Sequence, residues 1–479
     1  LFFDRYLKER SVDPCQIGLH KPRPGTRTLQ ADEHNCTQRF SDRSAFSGLT
    51  FQRDWTPGSR DARGRTMGGT ETMLLRVFEG HLYAATGYRN DDGSGNEDEG
   101  PSVLVKTRAD GPWAVDRGWP RGTYERIEAM AALPFNVQLA PNVLPTVVPR
   151  LVVALSSRER LSIWVKGPSG YIESVIDSTA SPDLMAVRAM ILYGDSINKT
   201  EHIFVGTTQG ELYRGTFVAG ANDLFEWQQE PIEGRAPRSN GPAVMAIEAA
   251  DDALYATLAP TATEPGGLYQ RRDGDDPTWI LVAPVAGSAN GSSAHLRGLT
   301  AASNRTTPFT DQLLAATESD GLIRSLTLFP AANERTIDVP AYRQNTITDR
   351  TTVGGTRNAY HRFTVAYDPA TGEQLHLIST RTAPGLGDEQ NGAFTTAPDN
   401  GTYLWILREN GDLEHSYVYD FSAPVDEGRS LRAVRTIAVS PFPEDEGRVI
   451  YVGGYDVFDR ATSPDRLQHN TAWIYRGAP

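Results

Sequence analysis

Lysine is nearly missing from this chain: of its 47 basic residues, only Lys8, Lys21, Lys106, Lys166 and Lys199 are not arginine. No dense basic block occurs and the formal net charge is −13, which excludes the usual footprint of a nucleic-acid partner. Long hydrophobic runs are lacking too; none approaches the ~18 apolar residues of a membrane-spanning helix. Cysteine is reduced to Cys15 and Cys36, both in an irregular, proline-rich N-terminal segment. A bridge between them would close a loop of about twenty residues and contribute roughly 3 kcal/mol on chain-entropy grounds. Such a bridge, with a start at Leu1 and no signal-peptide pattern, leads us to expect a processed, secreted or periplasmic protein. There is no nucleophile elbow, no Cys/His arrangement and no metal-ligand spacing, so neither triad hydrolysis nor a required cofactor is expected.

Turn formers are abundant instead. Forty-four glycines and 31 prolines are spread along 479 residues, and the apolar runs between them are short. That length is too great for one layered core, so a repetitive all-β architecture is expected. Compared with itself at a spacing of about 50 residues, the chain reveals a recurring pair of strands. The first strands are "ETMLLRVF", "EAMAALPF", "RAMILYGD", "MAIEAADD", "RGLTAASN", "RFTVAYDP" and "RTIAVSPF". Their partners include "HLYAATG", "HIFVGTT" and "RVIYVGG", and most units continue into a third strand and a weaker fourth. Seven such units predict a seven-bladed β-propeller of four-stranded antiparallel blades. The blades are expected over residues 66–120, 124–178, 183–233, 241–286, 292–339, 357–424 and 431–479, with 1–47 as a separate irregular segment. After "TAWIYRG" the last unit is one strand short, and "GLTFQRDW" (48–55) is a spare strand ahead of the first unit. It is expected to complete the last blade and close the ring.

The segment "DGDDPTWILV" (273–282) resembles the Asp-box turn of the sialidase-like propellers, and "DGPWAV" and "DLFEWQQ" are weaker echoes of it. The likeness is to a degenerate form of that motif. In architecture and residue types the chain is also similar to seven-bladed propeller polysaccharide lyases. These resemblances imply carbohydrate chemistry on a propeller scaffold.

In a propeller the opening residues of the first strands surround the channel mouth. Aligned on their apolar pattern, the seven strands give one column of Glu71, Glu128, Arg188, Met245, Arg297, Arg362 and Arg435. Two positions earlier, on the same strand face, stand Gly69, Arg126, Ala186, Ala243, His295, Tyr360 and Ala433. Long connections at 87–102, 379–401 and 455–470 should form a wall on neighbouring blades at that same face, and His469 and Asp456 in the last could reach the mouth. Several guanidinium groups at one opening select a planar anion, because arginine meets a carboxylate through paired charge-assisted hydrogen bonds.

This composition suits β-elimination on a uronic-acid polysaccharide or oligosaccharide. Arg297 and Arg362, supported by Arg188 and Arg435, would neutralise the C6 carboxylate; His295 would take the C5 proton; Tyr360 would protonate the leaving oxygen. A one-residue slip in register would bring His361 in their place. Two other readings stay open: sialidase-like or paired-carboxylate hydrolysis through Glu71 and Glu128, and glycan or protein binding without catalysis. The acidic loop "NDDGSGNEDEG" (90–100) could offer Asp91, Asp92, Asn96 and Asp98 to Ca²⁺, although it lacks the spacing of a calcium loop. A monomer is expected.

Overall fold

The computed structural model describes residues 46, 48–88, 91, 93, 99–137, 146–218, 224–234, 243–250, 252–260, 266–285, 296–303, 311–317, 322–327, 335–338, 356–357, 362–369, 371–382, 402–408, 415–420, 424–426, 429–430, 433–455 and 469–479. Cys15 and Cys36 lie outside the described residues. Among those described, regular structure is all β apart from one 3-10 turn at Pro443–Asp445.

Period-two alternation of branched and aromatic residues makes each repeat an antiparallel meander whose strands pair in sequence order. In unit one these are Glu71–Phe78, His81–Gly87, Ser102–Lys106 and Ala114–Gly118. Its first hairpin turns on Glu79 and Gly80, both at positive φ (48° and 73°), the mirror-image turn that matches strand twist. The inner strands of units two to seven are Tyr124–Val137, Val187–Gly194, Val244–Ala250, Leu296–Ser303, Thr364–Tyr367 and Ala433–Val439. In the last sheet Ala433–Val439 is followed by Ile450–Tyr455 and Ala472–Ala478, and Thr50–Trp55 then lies antiparallel to Ala472–Ala478 as its outer strand.

Hydrophobic clusters lie between successive sheets. Leu75, Leu82 and Leu104 of unit one pack with Tyr451 and Ile474 of unit seven, and Ala129 and Val152 of unit two with Val187 and Val205 of unit three. Full burial of each large side chain contributes about 1.5–3 kcal/mol. Small residues near the ends of second strands permit this approach. A Cβ on Gly87 would sit 2.0 Å from Arg126 Cβ, and one on Gly206 would sit 2.3 Å from a Val244 methyl. Only glycine lets the next inner strand cross so closely.

The three Asp-box-like segments hold sheets together. Each carries a tryptophan on or beside the fourth strand, and each indole N–H donates to the outer strand of the preceding unit. Trp279 Nε1 reaches Glu230 at 2.9 Å, Trp113 reaches Asp54 at 2.6 Å and Trp227 reaches Ser174 Oγ at 3.1 Å. Tyr171 holds the equivalent place in unit two, its hydroxyl donating to Asp116 at 2.8 Å. Where the acceptor is a carboxylate, a third-strand cation completes the contact: Arg271 on Glu230, Lys106 on Asp54, Lys166 on Asp116. Where the acceptor is Ser174, the residue cross-strand from Trp227 is Gly215.

Candidate functional site

Six inner strands share one irregularity. Register slips between Thr72 and Leu74, Ile127 and Ala129, Val187 and Ala189, Val244 and Ala246, Leu296 and Gly298, and Val434 and Thr436. The residue passed over in each bulge is Met73, Glu128, Arg188, Met245, Arg297 and Arg435. A bulge re-aims its extra side chain, so this ring carries the column of the sequence alignment. Unit one is the exception. The alignment put Glu71 in the ring, whereas the bulge residue is Met73 and Glu71 stands two positions earlier, level with Arg126. Because the extra residue, Met73, is itself apolar and runs straight into Leu74 and Leu75, the apolar pattern could not show where the bulge lies.

The ring converges. Arg362, just ahead of the sixth inner strand, donates from Nη2 to the Glu128 carbonyl at 3.2 Å and to the Arg188 carbonyl, 234 and 174 residues away in sequence. Arg188 Nη1 approaches Met245 Sδ at 3.7 Å, and Arg435 Nη1 approaches Met73 Sδ at 3.0 Å. Arg297 sits half-buried on the fifth bulge.

One part of the ring is internally neutralised. Buried Arg126 donates Nε to Glu128 at 2.5 Å and Nη1 to Glu71 at 2.7 Å, and Arg435 Nη2 meets the other Glu71 oxygen at 2.8 Å. Burial alone would weaken the hold of Arg126 on its proton, but Glu128 and Glu71 raise its pKa well above the ordinary value. Arg435 also lies over the Tyr455 ring at 4.8 Å. Arg435, Glu71 and Glu128, expected from the sequence to meet substrate, are thus engaged in ion pairs with one another or with Arg126. Arg362 differs. Burial first, then repulsion from Arg76 and Arg188, brings its pKa down to about 9 despite Glu128.

Loops of units one and seven meet beside this network. His469 places Nδ1 3.1 Å from Asp91 and Nε2 against Glu99, and its ring stacks on Tyr88 with centroids 4.7 Å apart. Arg121 pairs with Asp91 and lies over Tyr88. Burial, then Glu99 and Asp91, push the Tyr88 phenol far above its usual pKa. His469 is thus a buried link between two loops, and not the open mouth contact expected from sequence. Asp91, the described member of the calcium proposal, is engaged by Arg121 and His469. Among the described residues no cluster of three His, Cys, Asp or Glu is arranged to hold a metal ion. His295, Tyr360, His361 and Asp456 lie outside the described residues.

Sequence reasoning missed Glu248, on the inner strand of unit four. Burial pushes its carboxyl up to about 7, against one long hydrogen bond from the Ala301 amide at 3.5 Å. The folded protein therefore keeps this proton up to a higher pH than the unfolded chain does, and stability falls as pH rises from the ordinary carboxylate range through about 7. Over that window Glu248→Gln should remove a loss on the order of 3 kcal/mol, measured by urea denaturation across pH.

No family model matches the chain, and no curated protein matches it. Solved structures with some likeness include the extracellular domain of a putative one-component system from B. thetaiotaomicron, 11% identical, TM-score 0.46, covering 89% of this chain and 40% of that one. The Dos1 propeller is 9% identical at TM-score 0.40, covering 88% and 82%. A GH43 β-1,3-galactosidase with galactodeoxynojirimycin is 12% identical at TM-score 0.29, covering 59% and 94%. This chain thus spans 40% of the length of the first. At TM-scores below 0.5 these likenesses assign neither fold nor activity. No helix among the described residues is long and apolar enough to cross a membrane.

Proposed function

We propose that the chain is a seven-bladed propeller, closed where Thr50–Trp55 completes the last sheet, and that its channel mouth grips the carboxylate of a uronic-acid glycan for β-elimination. The observation that supports this reading is the meeting of the Arg362 guanidinium with the backbone of Glu128 and Arg188, three residues from distant parts of the sequence. Ring closure is further supported by Trp113 of unit one, which reaches back to Asp54 on the strand that completes unit seven.

In this reading Arg188, Arg297 and Arg362 hold the sugar carboxylate, which makes the adjacent C5 proton acidic. His295 removes that proton and Tyr360 returns one to the leaving glycosidic oxygen, with His361 in place of either if the register differs by one. Hydrolysis through Glu71 and Glu128 is less favoured, because both carboxylates already accept from Arg126. The partner would be an anionic polysaccharide or oligosaccharide met outside the cytoplasm.

The test is to incubate the protein with pectin, alginate, glucuronan and ulvan and follow the ultraviolet absorbance of the unsaturated product. Arg362→Ala should reduce kcat/KM roughly a hundredfold, the loss expected from one or two charge-assisted hydrogen bonds. Retention on an immobilised uronan that depends on Arg362, without product, would indicate binding alone. No product and no retention on any uronan would retire the reading.

A further inference from the structure

Arg76 belongs to no column that the sequence suggested. It follows the bulge residue Met73 by three positions on the inner strand of unit one. Its Nε donates to the Met130 carbonyl at 3.1 Å and its Nη1 to the Leu75 carbonyl at 2.8 Å. Arg362 donates to the carbonyl of Glu128. Glu128 and Met130 are two residues apart on one strand, at its bulge and just beyond it, so the two acceptors lie close together. Guanidinium groups arriving from units one and six are thereby anchored side by side along the inner strand of unit two. Arg188 of unit three provides Arg362 with its second carbonyl and lies close enough to repel it.

All three side chains are only half-buried, so solvent reaches them. Among the described residues no carboxylate forms an ion pair with Arg76 or Arg362, and both neighbouring glutamates already accept from Arg126. Burial, then repulsion from Arg76 and Arg188, lowers Arg362 to about 9, and burial lowers Arg76 to about 10. Arg76 and Arg362 each have five N–H donors, more than these carbonyls occupy. Forks arriving from two units suit an anion with oxygens pointing in more than one direction.

We infer that Arg76 and Arg362, with Arg188, form an anion site inside the channel that takes a compact tetrahedral oxyanion, inorganic sulfate or phosphate. This goes beyond the glycan reading: the site needs no sugar, and Arg76 has no part in the proposed clamp.

Thermal unfolding of the full chain, titrated with sodium sulfate or sodium phosphate against sodium chloride at matched ionic strength, tests it. A saturable rise in Tm with either oxyanion, absent with chloride, is expected. Arg76→Met should weaken the apparent affinity at least tenfold, while Arg76→Lys retains part of the response. If Arg76→Met does not fold, the lysine variant and the wild-type titration decide. An equal response to chloride, a non-saturable response, or a sulfate response unchanged in Arg76→Met or Arg76→Lys would overturn the assignment and leave the arginines as caps on strand carbonyls. Because the titration contains no glycan, its outcome is separate from that of the elimination assay.

Discussion

Replacing Arg271 by alanine should destabilise the protein by roughly 3–5 kcal/mol, the usual range for removing one partner of a buried ion pair. This guanidinium is fully buried among three carboxylates. Nε and Nη2 each meet Glu230 at 2.9 Å, while Nη1 meets Asp195 at 3.1 Å and also Asp273. Without it, three acidic groups share a space from which water is largely excluded. Protonation offers them relief, so the variant's folded state should bind protons more readily than its unfolded state and regain stability as pH falls. The wild type runs the other way at Asp195. Burial pushes that carboxyl up, but the Asn198, Ile197 and Gly274 amides and Arg271 outweigh it and hold the pKa at about 2. The Asp195 contribution is therefore complete above the ordinary carboxylate value and is lost as pH falls towards 2. Urea denaturation of both proteins at neutral and mildly acidic pH measures the difference. A deficit in Arg271→Ala that is the same at both values would contradict the account.

Arg126→Ala should be of similar severity, again roughly 3–5 kcal/mol, because Glu71 and Glu128 are buried and lose a shared donor. Arg435 still meets Glu71, so the sharper loss falls on Glu128. A second variant separates charge from packing. Combining Arg126→Met with Glu128→Leu removes a whole ion pair and fills its volume, and this double replacement should retain more stability than Arg126→Ala alone. Denaturation midpoints of the two variants provide the comparison. If the double variant proves the less stable, the network is contributing more through its hydrogen-bond geometry than through avoidance of an uncompensated charge.

Much of the architecture is legible in the residues because strands advertise themselves locally. The alternation in "HLYAATG" and "HIFVGTT", the turn at Glu79 and Gly80, and the spare strand at Thr50–Trp55 are all short-range signals that backbone pairing preserves. The column of bulge residues was legible to the extent that each bulge falls beside a recognisable apolar pattern. It failed in unit one, where the bulge residue Met73 is itself apolar and continuous with Leu74 and Leu75. What could not be read was cooperation across units. Glu230 and Arg271 are 41 residues apart, and Lys106 and Asp54 are 52 apart. Nothing local in either segment announces its partner. Glu248 was hidden for a related reason: a lone glutamate in "MAIEAADD" carries no local sign of its surroundings, and only the neighbouring inner strand shows that it is half-buried against Ala301.

The exchange at Ser174 and Gly215 has a consequence for how such a protein can vary. At three junctions an acidic side chain on one sheet is answered by a cation on the next, and at this junction both charges are absent together. Neighbouring sheets therefore carry matched keys, and the third sheet fits behind Ser174 but would leave an acid unanswered behind Glu230. Duplicating or shuffling whole sheets would break this matching even though the backbones are alike, so the order of the repeats is inscribed in their side chains.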